Sequence, residues 1–293
     1  MNTCPATGHS SPRRIRAALA AIVTLLLSAL SAETACAQQN DVVAHEWGTF
    51  TSIAGNTGTA VQWYPWAAPS ELPGFVEHLQ VQARDFKLNL NGTIRMETPV
   101  LYFYSSRETA LSVHVSFSKG LITEWYPHAT RFTPGRREAQ NTSFSENHPD
   151  GSVTWENIAL RPNFEGSMPR ERAHSRYYAA RDTSSTPLQV ATPEGTQYEK
   201  FLFYRGVSSE AIPMAAKVLA DGRIEVINFS RDQISHLFLF ERRGALTGVR
   251  STTGLVAQTK LTTPELNAAV ETASEQVLAA LMEQGLYPEE ARA

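Results

Sequence analysis

The sequence predicts a mainly β protein, an antiparallel β-sandwich with a C-terminal α-helix. Three observations carry this. Leu111, Val113, Val115 and Phe117 alternate with Ser112, His114, Ser116 and Ser118, the period of a half-buried strand. Residues 99–104, 199–206 and 236–241 are apolar on both faces, 199–206 with charges only at its ends, as strands covered on both sides are. After Leu261 the apolar spacing changes from two to helical.

Residues 1–37 read as an export signal. Arg13, Arg14 and Arg16 form a basic head, residues 17–30 an apolar stretch, and Ala35-Cys36-Ala37 a small-x-small cleavage site, so that the mature chain would begin at Gln38. An apolar stretch of about 14 residues falls short of the ~20 that cross a bilayer, so no stable membrane span is expected in the mature chain. Lipid attachment at Cys36 lacks an apolar residue upstream, and the flanks of Arg13-Arg14 fit a twin-arginine signal poorly. The expected location is periplasmic or extracellular. Cys4 and Cys36 are the only cysteines and both leave with the leader, so residues 38–293 must be held by a core alone, which their number allows. The expected organisation is a β-sandwich over 38–262 and a helical segment over 263–293. The whole chain carries a net charge of −3, and the leader removes three arginines against one glutamate. Such a mildly acidic chain offers nothing to nucleic acid.

Along the chain, residues 42–51 are rich in β-formers. His45, Trp47, Thr49 and Thr51 share one face while Glu46 points to the other, and both faces carry bulky groups, so an interior strand is expected. A strand follows over 61–66 and a proline-rich loop over 67–73. A three-residue loop at Ser118-Lys119-Gly120 would fold residues 111–117 back on 121–126 as a hairpin. That register pairs Phe117 with Leu121, Val113 with Trp125 and His114 with Glu124; a two-residue loop would bury Glu124 among apolar side chains.

Three motifs stand out in this half: His-Glu-Trp-Gly-Thr-Phe-Thr at 45–51, Met-Glu-Thr-Pro-Val-Leu-Tyr-Phe-Tyr at 96–104, and Thr-Glu-Trp-Tyr-Pro at 123–127. By these the chain resembles a set of secreted bacterial proteins of undescribed function, over most of the mature length. The resemblance implies no activity; it does imply that chains of the set continue past residue 293.

Residues 128–151 read as a polar loop, 152–160 as a strand, and 161–197 as irregular because Pro162, Pro169, Pro187 and Pro193 interrupt it. Within that stretch Arg170, Arg172, Arg176 and Arg181 crowd around His174, Tyr177 and Tyr178. The cluster is either a solvated basic loop or a site for a carboxylate or phosphate. Asp221-Gly222 turns a hairpin between 215–219 and 223–229, and 244–261 closes the β-region. Thr263, Pro264 and Glu265 then form a helix start, Leu266, Val270, Ala273, Val277, Leu278 and Leu281 an apolar stripe, and Gly285 a stop. Pro288-Glu289-Glu290 opens another helix only a turn or two before Ala293, which reads as a helix cut short.

The chemistry has no strong motif: no HExxH, Gly-Xaa-Ser-Xaa-Gly, phosphate loop or dinucleotide fingerprint. His45-Glu46 lacks the second histidine of a zinc-protease motif, and no metal site is expected. Glu46, Glu97, Glu124 and Glu241 are carboxylates set in apolar strand ends, with Arg95, Arg181, Lys200 and Arg205 as available cations. At least one of Glu46 and Glu97 should form a buried or half-buried ion pair with one of these cations. The candidate ligand-binding set is His45, Glu46, Arg95, Glu97, His114, Glu124, His174, Arg181 and Arg205; Trp47, Trp63, Trp66, Trp125 and Trp155 are candidate stacking walls. No catalytic residue or cofactor is assigned. Three functions fit: an exported protein binding a small molecule or glycan, a hydrolase or lyase using paired carboxylates, and a structural envelope protein.

Overall fold

The computed structural model describes residues 42–64, 71–79, 92–97, 99–117, 120–133, 151–267 and 269–293. The expected leader, Trp66 and residues Ser118 and Lys119 of the expected hairpin loop lie outside the described residues.

The chain is mainly β and antiparallel throughout. One sheet has seven strands: β1 (Val43–Trp47), β2 (Phe50–Thr51), β3 (Glu77–His78), β4 (Ile94–Met96), β5 (Val100–Tyr104), β7 (Gly120–Tyr126) and β12 (Phe201–Ser208). A second has five: β6 (Thr109–Phe117), β8 (Arg131–Thr133), β9 (Gly151–Leu160), β10 (Leu188–Thr192) and β11 (Gly195–Glu199). Beyond Ser208 come a three-stranded sheet of β13 (Met214–Val218), β14 (Ile224–Asn228) and β17 (Gln258–Leu261), and a lone hairpin of β15 (Ile234–Arg243) and β16 (Leu246–Leu255). Helices α1 (Val270–Glu283) and α2 (Pro288–Arg292) end the chain.

The seven- and five-stranded sheets form the sandwich. Phe103, Ile122, Trp125, Leu202 and Tyr204 from the first interdigitate with Val153, Trp155, Ile158, Leu160 and Leu188 from the second. Burying each such side chain contributes about 1.5–3 kcal/mol. Strand β12 is the spine. Its Phe201–Phe203 end pairs with β5, its other end with β4, and its opposite edge with β7. Every residue of β12 and β7 is buried, which explains their lack of polar alternation. A β-bulge between Arg205 and Gly206 requires the glycine, because a Cβ there would stand 2.2 Å from the Leu121 carbonyl oxygen.

The other face of β12 carries a second core. Phe201, Phe203, Tyr102, Tyr126 and Val100 are covered there by Val76, Tyr177 and Tyr178 from connecting segments. Alternation in β6 holds as expected, with Leu111, Val113, Val115 and Phe117 turned inward.

Several expectations fail. Strands β6 and β7 do not pair: β6 runs along β9, whereas β7 lies between β12 and β3 in the other sheet. The chain crosses between sheets at the expected hairpin, because β7 is apolar enough to be covered on both faces and β6 is not. His114 and Glu124 are therefore not neighbours. Among the described strands β1 is an edge strand paired only with β5, and its Ala44 and Glu46 are exposed. Strand β15 is half-exposed in its two-stranded hairpin, with Phe240 47 % exposed. The 161–197 stretch hides β10 and β11, since Pro187 and Pro193 flank β10 without interrupting it. Helix α1 begins at Val270, six residues after Pro264. Tertiary packing overrides the start signal: Pro264 is buried, and the Glu265 carbonyl oxygen would stand 2.3 Å from a Cβ on Gly248. Ala273 and Ala280 are buried, while Val270 and Val277, expected inside, are exposed.

Candidate functional site

Register lines up a row of ionisable side chains on the second-core face of the seven-stranded sheet. His78 stands opposite Glu124, and Glu124 opposite Arg205. Pairing of Gly206 with Met96 then places Arg205 opposite Glu97, whose carbonyl accepts from Arg205 Nε at 2.8 Å. Glu97 forms the expected ion pair, with Arg95 at 2.9 Å, both side chains half-buried, and also accepts from the Thr51 hydroxyl at 3.2 Å. Arg205 and Glu124 are 4 % and 2 % exposed, and the Thr123 hydroxyl donates to Glu124. Burial, and then the like charge of Arg95, push the Arg205 guanidinium down to about 10, against the opposing pull of Glu97 and Glu71.

A cleft of about 420 Å³ opens over the Glu97 and Arg205 end of this row. The sheet contributes Trp47, Thr49 and Thr51 from the β1–β2 segment, Glu97, Val100 from β5, and Phe201, Phe203 and Arg205 from β12. Glu71 and Leu72 form one covering wall, and Ser175, Arg176, Tyr177 and Ala180 the other. That second wall is a 3-10 helix, Arg176–Arg181, capped where the Ser175 hydroxyl accepts from the Tyr177 N–H. Gly48 lets the β1–β2 segment press against Pro99, where a Cβ would meet the Pro99 Cα at 2.8 Å. The indole N–H of Trp47 is buried and has no hydrogen-bond acceptor among the described residues. An orphaned buried donor costs about 1–3 kcal/mol, and here it belongs to a residue lining a cleft.

The rest of the expected set goes elsewhere. His45 Nδ1 lies 2.9 Å from Glu290 of α2, a carboxylate 1 % exposed that also accepts from the Tyr104 hydroxyl at 2.7 Å and the Tyr287 N–H at 2.7 Å. Burial and then Glu290 hold the Tyr104 hydroxyl well above its ordinary value. Glu46, on the same face of the seven-stranded sheet as Leu101 and Leu202, accepts from the Tyr204 hydroxyl. His114 is on the exposed face of β6, 2.8 Å from the Thr154 hydroxyl of β9. His174 is exposed. Arg181 is spent on Glu199, which is fully buried: Nε donates at 2.9 Å to one carboxylate oxygen and Nη2 at 2.6 Å to the other. The Tyr177 hydroxyl at 2.8 Å and the Lys200 N–H at 2.8 Å complete that carboxylate, and Arg181 Nη1 donates to the Pro169 carbonyl. Burial works to lower the Arg181 guanidinium, but Glu199's hydrogen bonds and charge outweigh it.

Of the nine expected residues, then, Glu97 and Arg205 line the cleft, with Arg95 beside Glu97 and Glu124 beside Arg205. Of the described tryptophans only Trp47 lines it; Trp125 donates to Glu77 and Trp155 to the Pro127 carbonyl. Among the described residues no three histidines, cysteines or carboxylates group as metal ligands, and no helix is long and apolar enough to cross a membrane. Comparison with protein-family models, curated proteins and solved structures gives no match.

Proposed function

We propose that the protein is an exported ligand-binding protein that takes a glycan ring in the cleft over Arg205. One observation carries the reading: Trp47 lines the cleft with a buried indole N–H that no group among the described residues satisfies, a donor that a ligand oxygen in the cleft would meet. Phe201, Phe203 and Val100 give the ring an apolar floor, and Thr49 and Thr51 bring hydroxyls to its edge. Titration calorimetry against a panel of neutral and acidic oligosaccharides tests it. Binding of at least one member, weakened about tenfold by Trp47→Phe, is expected; a panel that produces no heat removes the reading. Export is tested by intact mass of the protein from the periplasm or medium, with a mature start at Gln38 expected.

A second reading, a carboxylate-dependent hydrolase or lyase, draws on Glu71 and Glu97 lining the same cleft. Binding is preferred because Glu97 is held by Arg95 at 2.9 Å, and Glu71 is a largely exposed rim residue whose Arg176 contact is 4.0 Å long. Accumulation of shortened oligosaccharide that Glu97→Gln abolishes would reverse the preference. The structural-envelope reading required every named carboxylate to be sealed, and Glu97 opens on the cleft.

A further inference from the structure

We propose that the cleft holds one ring of a glycan chain whose neighbouring sugar is acidic. The acidic group sits outside the cleft, on the loop at residues 170–176. The inference rests on the cleft being a glycan site and adds where charge on that glycan is read.

The loop runs Arg170, Glu171, Arg172, Ala173, His174, Ser175, Arg176, and all of these but Ser175 are exposed. Ser175 and Arg176 line the cleft, so the loop is the cleft's own lip. Four residues span at most about 14 Å, which keeps Arg172 within reach of a ligand that leaves the cleft beside Arg176.

Three arginines stand here against one glutamate, in a chain whose net charge is −3. That glutamate is turned to the backbone, where Glu171 accepts the Gly74 N–H at 2.9 Å. Arg172 and His174 make no hydrogen bond or ion pair among the described residues. Arg176 approaches Glu71 only at 4.0 Å, with its own side chain 86 % exposed. Glu97, Arg205 and Ala293 line the cleft itself and take no part in the inference.

A run of exposed arginines is commonly no more than a solvated surface. Here the backbone that carries it is fixed at three points. Arg181 Nη1 donates to the Pro169 carbonyl at 2.7 Å, and the Glu171 N–H donates to the Tyr178 hydroxyl at 2.9 Å. The Ser175 hydroxyl accepts from the Tyr177 N–H at 3.2 Å. Arg181 and Tyr177 are themselves held by the buried Glu199, and Tyr178 is buried. Arg170 lies over the Tyr178 ring at 4.9 Å, which keeps its guanidinium beside the lip. A basic loop whose backbone is already ordered loses little further freedom on binding. The planar forks of Arg172 and Arg176 match the paired oxygens of an acidic group.

The test compares matched ligands on the native protein, so its first arm does not depend on a variant folding. Uronate oligomers are titrated beside their methyl esters, and sulfated galactan oligomers beside desulfated ones, so that carboxylate and sulfate are told apart. At least one acidic oligomer is expected to bind about tenfold more tightly than its neutral counterpart. The gap should narrow as salt is raised, because the lip is exposed. In Arg170→Gln/Arg172→Gln that ratio should fall towards one, with thermal unfolding to check that the fold is kept. Equal affinity of acidic and neutral oligomers would overturn the lip and leave the cleft as a site for neutral glycans. A preference that survives the double substitution would place the charge reader elsewhere and overturn it too. No binding by any oligomer would remove the cleft reading as well.

Discussion

Two arginines on the same side of the seven-stranded sheet meet different fates. Arg181 lies in a closed corner, where its partner Glu199 is satisfied by the guanidinium, the Tyr177 hydroxyl and the Lys200 N–H. Arg205 lies under an open cleft, held by a backbone carbonyl and flanked by Arg95. The closed corner has no capacity left for a ligand, and its work is to pin the 3-10 helix over Phe201 and Phe203. At the open end the described groups leave an indole donor without an acceptor. Burial of a charge alone therefore does not mark a site; the discriminating feature is an unmet polar group beside space to meet it.

The contrast can be broken at the closed end first. Glu199→Ala should cost about 3–5 kcal/mol in denaturant unfolding, the range for leaving one member of a buried pair alone. A loss below about 1 kcal/mol would show that Arg181 escapes to solvent and that the corner is not closed. The His45–Glu290–Tyr104 corner is the second closed network, and Glu290→Gln should cost about 1–3 kcal/mol. Faster hydrogen exchange in α2 should accompany that loss. Unchanged exchange there would mean that α2 is held by something other than this carboxylate.

Alkaline pH probes the buried phenols around both ends. Burial raises Tyr102, Tyr126, Tyr177 and Tyr204 above the ordinary value of 10.0, with nearby carboxylates adding to the effect. The stability they contribute is whole below pH 10. It is lost as pH rises beyond that value, because unfolded tyrosines release protons that the folded ones retain. Each contributes at most about 1.4 kcal/mol per pH unit to the decline. Arg205, lowered in the fold, acts oppositely and relieves part of its burial cost above about pH 10. A stability curve flat from pH 9 to 11 would contradict the burial of these phenols. The smallest effect on stability belongs to the open end: Trp47→Phe should leave it within about 0.5 kcal/mol while ligand binding falls. A large loss there would make Trp47 a core residue.

The fold was legible where pattern and environment agree. Alternation in 111–117 located β6 and its inward face, and the double apolar faces of 99–104 and 199–206 located β5 and β12. Pairing was less legible, because a tight turn at 118–120 and a crossover between sheets share the same local residues, and only the burial of both faces of β7 separates them. Prolines at 187 and 193 masked β10 because position relative to a strand end decides whether they interrupt. In the site, Glu97 and Arg95 were readable as a carboxylate and a cation two residues apart in a strand. Parity also placed Trp47, Thr49 and Thr51 on one face, the face that lines the cleft. Glu199 and Glu290 were not singled out as buried partners, since their partners lie 18 and 245 residues away.

The most direct measurement is the indole N–H spectrum of the native protein titrated with the tightest-binding oligosaccharide of the panel. Trp47 and Trp63 both carry buried, unpartnered indoles among the described residues, yet only Trp47 lines the cleft, so Trp63 is an internal control. The account predicts that the Trp47 resonance moves on saturation, as expected when an N–H gains an acceptor, while those of Trp63, Trp125 and Trp155 stay in place. A Trp47 resonance that does not move while ligand binds would place the ligand elsewhere and contradict the cleft as the site.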